Sequence, residues 1–286
     1  MTHLLPPPGA CDTHLHVYRP GTPTVPGALA APETEEVGRY RAMRDALGLS
    51  RAVIVQPTAY GTDNRVTAEG IAELGRAETR GVAVVDETVS EAGLRALTEA
   101  GFCGARLQML PGGIIPWDQV DRIADRVGGW DWHVQLQMDG RLLPEREAQI
   151  LSWPGQVVID HIGKFLDPVR PDHPSFRCLL RLIDSGRVWV KLSAPYEVSR
   201  DGAPDYEDVS VLARALVAHA PERMLWASNW PHILTTPRPD DRRMLDLLQD
   251  WAPDAATRHR ILCENPGVVY GFDSAIMEPD TPKPAG

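Results

Sequence analysis

The chain has 286 residues, 43% hydrophobic and 24% charged, a composition that supports a large buried core in a globular fold. Its formal net charge of −10 argues against binding nucleic acid or anionic membrane through bulk electrostatics, and no apolar run approaches the roughly 18 residues of a membrane span. The N-terminal stretch MTHLLPPPGACD has no basic region followed by a long apolar one, so no export signal is read there and a cytoplasmic location is expected.

Eight short apolar runs follow in chain order, each expected to be a strand. The first, CDTHLHV (11–17), carries His14 and His16 two apart, so on a strand both leave one face, with Asp12 one layer deeper on it. AVIVQP (52–57) ends near Gln56, VAVVD (82–86) is apolar, and CGARLQM (103–109) carries Arg106 and Gln108. HVQLQM (133–138) carries Gln135 and Gln137, VVIDHI (157–162) ends in Asp160 and His161, VWVKLS (188–193) carries Lys191 and Ser193, and MLWASN (224–229) ends in Ser228 and Asn229. Near-continuous apolar strands suit a parallel sheet covered on both sides.

Amphipathic segments lie between them. Met244, Leu247, Leu248 and Trp251 fall at helical spacing behind a Pro-Asp-Asp start, and Val209, Leu212, Ala213 and Leu216 repeat the stripe. Eight strands, each with a helix, predict an α/β fold made of one (β/α)8 TIM barrel, a single domain with its core at about residues 10–272 and a frayed tail at 273–286. A doubly wound open sheet would want a Gly-rich phosphate turn after an early strand, and none is present. Three long loops (18–33, 166–176 and 194–208) follow strands 1, 6 and 7, where such a barrel places its active site, and read as lids. Cys11, Cys103, Cys178 and Cys263 form no C-x-x-C pair and read as buried thiols in a reducing compartment.

The polar residues that interrupt these strands cluster toward their C-terminal ends, and convergence from seven strands predicts a pocket. The ordered set D-x-H-x-H, VVQP…YG-x-DN, G-x-R, DH-x-G, VWVKLS…Y and ASNWPH resembles the amidohydrolase superfamily, specifically the branch of 2-pyrone-4,6-dicarboxylate lactonase and related sugar-lactone enzymes. The resemblance runs from about Asp12 to Glu264. It implies hydrolysis of a carboxylated lactone without a metal, as a carboxylic ester hydrolase.

Metal-dependent members of the superfamily need a third ligand from strand 4 or 5 and an Asp from strand 8. Here strand 4 offers Arg106, strand 5 ends in Gln137, His133 sits at the wrong end, and strand 8 offers Asn229. Arg106 would also repel a divalent ion by roughly 1–4 kcal/mol per unit-charge pair. No metal and no cofactor are therefore expected, the alternative being one Zn or Mn at His14, His16 and His161.

In the metal-free reading, imidazole N–H groups of His14, His16 and His161 polarise the lactone carbonyl, and Asp12 fixes a tautomer or keeps one imidazole protonated. In the lactonases this chain resembles, the strand-8 Asp is the general base; Asn229 can only orient through hydrogen bonds. Either His232 or one of the three pocket histidines then activates water, or the substrate's own hydroxyl attacks, which makes a lactone isomerase. Arg106, Lys191 and more weakly Arg200 suit substrate carboxylates, with Gln56, Tyr60, Tyr196 and His232 lining the site. Trp226 and Trp230 are expected to pack beneath the mouth, and His3, His173, His219 and His259 to lie outside it.

The expected partner is a small carboxylated molecule, not nucleic acid or membrane, with homo-oligomerisation left open. Hydrolysis ranks ahead of isomerisation; a barrel that binds an acid without turnover and a zinc decarboxylase are the remaining alternatives.

Overall fold

Runs of Val, Ile and Leu bounded by turns favour doubly covered strands, and each of the eight runs overlaps one, the third by only Val82 and Ala83 because its strand begins three residues earlier. A computed structural model describes residues 3–27, 32, 35–233 and 235–272; the expected tail at 273–286 lies outside them. The strands are β1 (Cys11–Leu15), β2 (Arg51–Val55), β3 (Thr79–Ala83), β4 (Phe102–Gln108), β5 (His133–Gln137), β6 (Val157–Ile159), β7 (Val188–Leu192) and β8 (Met224–Trp226). They pair in parallel in sequence order. Backbone bonds from Asn229 N to His14 O and from His16 N to Trp230 O, both 2.9 Å, join the last strand's end to the first and complete a TIM barrel.

One helix follows each strand: α1 (Val37–Leu47), α2 (Arg65–Leu74), α3 (Glu91–Ala100), α4 (Val120–Gly128), α5 (Leu143–Ser152), α6 (Pro174–Asp184), α7 (Glu207–His219) and α8 (Asp241–Trp251). The two predicted stripes are buried on α7 and α8. Asp240 caps α8 by accepting the Arg242 N–H at 2.9 Å. A further helical run crosses the barrel floor, Ala255–His259 continuing through a π turn at Arg260–Glu264 into Asn265–Tyr270. Among the described residues no helix is long and apolar enough to cross a membrane.

Strand alternation divides the core in two. Ala52 and Ile54 join the helix-facing cluster, whereas Val53 and Val55 join a smaller one inside the barrel with Cys11, Val158, Trp189 and Leu225, above Tyr270 and Phe272. Climbing toward the strand C-termini, the interior turns polar: Arg106 and Gln108 on β4, and His133, Gln135 and Gln137 on β5, are spaced two apart, with Gly104 of β4 level with His133.

Within that interior, Lys191 of β7 and Asp160, just past β6, form an ion pair at 3.6 Å with neither side chain exposed. Gln135 bridges them, its Oε1 accepting from Lys191 Nζ (2.7 Å) and its Nε2 donating to Asp160 (3.0 Å).

Gly104 makes room for a neighbour in the lowest polar layer. A Cβ there would stand 2.3 Å from Cε1 of His133, whose buried ring packs on Tyr270. Gly104→Ala is therefore expected to destabilise the fold by about 1–3 kcal/mol through overpacking, seen as a lower urea midpoint with an unchanged slope. An unshifted midpoint would show that the His133 ring relocates freely.

Candidate active site

A cavity of about 550 Å³ opens at the C-terminal mouth of the barrel, the end where this architecture places its chemistry. Its walls hold some of the sparsest backbone geometry in the chain. His161, Lys164, Asn229 and His232 all have left-handed φ between 47° and 61°, a region that Asn and His tolerate better than most residues. The turns carrying them explain why β6 and β8 end sooner than their apolar runs suggest.

The cavity brings together His16, His161, Asn229, Arg106, Tyr196 and His232, six of the ten residues singled out from the sequence. His14 lies one layer below with no exposed surface, its ring 4.9 Å from both His16 and His161.

Three others face elsewhere. Gln56 is fully buried, donating to the Gly61 and Asp63 carbonyls and accepting from Thr67, so it braces the loop after β2. The Tyr60 hydroxyl accepts the Arg19 N–H at 3.0 Å and is absent from the cavity wall, which Tyr18 occupies instead. Lys191 is sealed in the interior pair with Asp160, so its charge balances a carboxylate of the protein's own. Arg200, also considered for the substrate, forms an exposed pair with Asp167 at 2.7 Å.

Asp12 is the clearest correction. Alternation predicts that residues 12, 14 and 16 share a face, but β1 carries one extra residue against β2 between Asp12 and Leu15. That bulge reverses the side-chain alternation. The Asp12 carboxylate instead accepts from Ser228 N (2.9 Å), Ser228 Oγ (2.5 Å), His14 N and Tyr40 of α1 (both 3.2 Å). It ties β1 to β8 and touches no imidazole. Burial pushes its pKa up to about 6 against these donors.

All three histidines are held neutral. Burial depresses His14 and His161 well below the usual imidazole range, and burial with Arg106 nearby brings His16 down to about 3. No imidazolium is maintained here, contrary to the role expected of Asp12.

Following the protons narrows the donors further. His16 Nδ1 donates to Val55 O at 2.7 Å, so its Nε2 is bare and faces His14 Nε2, 3.3 Å away. His14 Nδ1 lies 3.3 Å from Asp160 Oδ1 and 3.4 Å from Lys191 Nζ and Gln135 Nε2, so the His14 N–H is directed either at His16 Nε2 or at Asp160. Both N–H groups are thus committed within the protein. His161 Nδ1 contacts Ser193 Oγ at 2.8 Å; with Ser193 donating, its Nε2–H is the imidazole donor left for a carbonyl oxygen. The expected three-imidazole electrophile reduces to one.

Two cavity residues carried no signal in the apolar pattern. Lys164 and Glu197 sit in the loops after β6 and β7 and form an ion pair. Burial lowers Lys164 to about 8. The one hint in the sequence is a lysine three residues beyond the strand-6 histidine, in DHIGK.

Asn229 donates from Nδ2 to Tyr196 Oη (2.8 Å) and to Glu197 Oε1 (3.0 Å). Both amide hydrogens are used, and Oδ1 is left as an acceptor.

Groups that could ligate a divalent ion and groups that oppose one meet in this set. The 3.3 Å between His14 Nε2 and His16 Nε2 could span an ion bonded at about 2.0–2.1 Å to each nitrogen. His14, Asp160 and His161 likewise place one ligand-type atom apiece within 4.8 Å of one another. Yet Asp160 is already paired with Lys191 and Lys164 with Glu197, Arg106 adds a further cation, and the strand-8 position is an uncharged amide.

Arg106 meets only neutral acceptors of the protein. It donates to Gln56 O (2.9 Å) and Gln137 Oε1 (3.0 Å), while its buried Nε has no partner. No carboxylate of the protein is bonded to it among the described residues.

The amidohydrolase family model matches residues 11–272. The chain is 40% identical to a D-galactarolactone isomerase of Agrobacterium fabrum over 92% of this chain and 91% of that protein. It is 33% identical to a 2-pyrone-4,6-dicarboxylate hydrolase of Comamonas testosteroni over 92% and 90%. An apo crystal structure from Agrobacterium tumefaciens superposes with a TM-score of 0.88 at 39% identity, covering 94% of this chain and 97% of that one.

Proposed function

The chain belongs to the amidohydrolase family, and on that premise we propose that it hydrolyses a carboxylated lactone without a metal ion. The observation that carries this reading is Arg106, a buried guanidinium on the wall of the mouth cavity whose protein partners, Gln56 O and Gln137 Oε1, are both uncharged. It supplies a partner for one substrate carboxylate. His161 Nε2–H and the Lys164 ammonium then lie on the same wall for the carbonyl oxygen, whose developing charge they offset. Addition of oxygen to that carbon and loss of the ring oxygen open the ester. The partner is a small molecule, and the four unpaired cysteines support a cytoplasmic setting.

One observation favours a second reading. Asn229 has no acidic proton and no charge at the strand-8 position, so it cannot deprotonate water. A hydroxyl of the substrate attacking its own lactone carbonyl would give an isomerised ring, the activity for which the 40% identical relative is named.

Incubating sugar-acid lactones in ¹⁸O-labelled water, with and without chelator, tests both. Hydrolysis puts label into the product carboxylate at a rate indifferent to chelator. A rearranged lactone free of label identifies the isomerase, loss of turnover with chelator overturns the metal-free reading, and an unaltered panel of lactones removes lactone chemistry altogether.

A further inference from the structure

We propose that Tyr196 is the acid–base residue of this reaction, and that a His232–Asp241 pair behind it takes up and returns its proton. The proposal rests on the lactone reading and supplies the group that Asn229 cannot be.

Asp241, the first residue of α8, holds Oδ1 2.8 Å from His232 Nε2, and His232 Nδ1 lies 2.7 Å from Tyr196 Oη. A carboxylate only accepts, so Nε2 carries the imidazole proton and Nδ1 is bare. Tyr196 therefore donates to His232. Asn229 agrees with that direction, because it donates to the same phenol oxygen from another side at 2.8 Å.

A phenol oxygen has two acceptor positions, and Asn229 fills one. The other is left for the O–H of a nucleophile in the cavity that Tyr196 lines. His232 is almost wholly buried, with a side chain 2% exposed, whereas Asp241 reaches solvent at 24%. The chain thus leads from the reacting group to a carboxylate at the rim.

As the nucleophile's oxygen bonds to the lactone carbon, its proton passes to Tyr196 Oη and the tyrosine's own proton passes to His232 Nδ1. The carbonyl electron pair moves onto its oxygen. The imidazolium so formed is offset by Asp241. When the tetrahedral centre collapses, the ring C–O bond breaks, and the leaving oxygen recovers a proton from Tyr196 as His232 returns one to it. Atoms balance with one water consumed in hydrolysis and none in isomerisation. Burial pushes the Tyr196 phenol well above its ordinary range, which suits a group that relays a proton in concert without persisting as phenolate.

The test combines kinetics with a readout that needs no substrate. Tyr196→Phe should lower kcat by ~10²–10⁴-fold, the span of general acid–base catalysis, with KM within about threefold. His232→Gln should match it, and the double variant should be no worse, since groups acting as a unit are not additive. Binding of tetrahydrofuran-2-carboxylate, which lacks the lactone carbonyl, should be unchanged throughout.

Should Tyr196→Phe fail to fold, Asp241→Asn, altered at the rim, should lower kcat at least tenfold. In the native chain, ¹⁵N NMR should show His232 protonated at Nε2. Protonation at Nδ1 overturns the relay whatever the lactones do, as do additive losses or a Tyr196→Phe enzyme within threefold of native turnover. A native chain inert to every carboxylated lactone overturns the functional reading and with it this catalytic role, even where NMR finds the expected tautomer.

Discussion

Replacing Arg106 by methionine is expected to lower kcat/KM for a carboxylated lactone by ~10²–10³-fold, chiefly through KM. Arg106 is 5% exposed and bonds two neutral acceptors, Gln56 O and Gln137 Oε1. Its charge is therefore available to an incoming anion. Removing one partner of a buried, hydrogen-bonded charge pair costs about 2–5 kcal/mol, and each 1.4 kcal/mol is tenfold. Methionine preserves much of the apolar stem while deleting the fork. Arg106→Lys keeps the charge and loses the planar geometry, so it should fall between the two.

The check is to repeat the kinetics with the methyl ester of the same lactone acid. The native enzyme should lose by esterification about what the variant loses by mutation, and the variant should distinguish acid from ester little. Equal losses on both substrates in the variant would show that Arg106 supports the wall without meeting a carboxylate.

Lys191→Met should cost about 3–5 kcal/mol of stability, because it leaves the Asp160 carboxylate uncompensated in the interior. The same change strips Gln135 Oε1 of its 2.7 Å donor. Adding Asp160→Asn should restore a large part of the loss, since deleting both members of a buried pair is far less costly than deleting one. Denaturant midpoints of the two single variants and the double close the cycle.

Burial lowers Lys191 to about 8, so between about 8 and its ordinary 10.5 the native chain binds fewer protons than the unfolded one. Its contribution is most favourable above 10.5 and is lost as pH falls through about 8. The native protein should consequently gain on Lys191→Met as pH rises through that window. A cycle without coupling would mean that water enters the barrel and screens the pair.

The barrel was legible because its determinants are periodic. Runs such as AVIVQP and VWVKLS have one reading in a doubly covered sheet, and the α7 and α8 stripes landed on buried faces. Side-chain direction within a strand follows the same alternation until a bulge shifts it, and one extra residue in β1 was enough to turn Asp12 away from the imidazoles. Position along the barrel axis is harder to read. Lys191 interrupts its strand as Arg106 does, yet it lies in a lower layer where the space is filled by Gln135 and Asp160.

Lys164 and Glu197 left no trace in the pattern because loops with left-handed backbone follow no period. Their pairing depends on where two mouth loops meet. The Asp241 partner of His232 was equally hidden, since a charged residue opening a helix ordinarily serves the helix.

Glu197 limits what the strand-8 position can hold. With both amide hydrogens of Asn229 bound to neighbours, one of them Glu197 Oε1 at 3.0 Å, an aspartate introduced there would set two carboxylates against each other, and one would hold a proton when a base needs to be free. Asn229→Asp alone is therefore expected to yield a poorer base than Asn229→Asp combined with Glu197→Gln, which removes the opposing carboxylate.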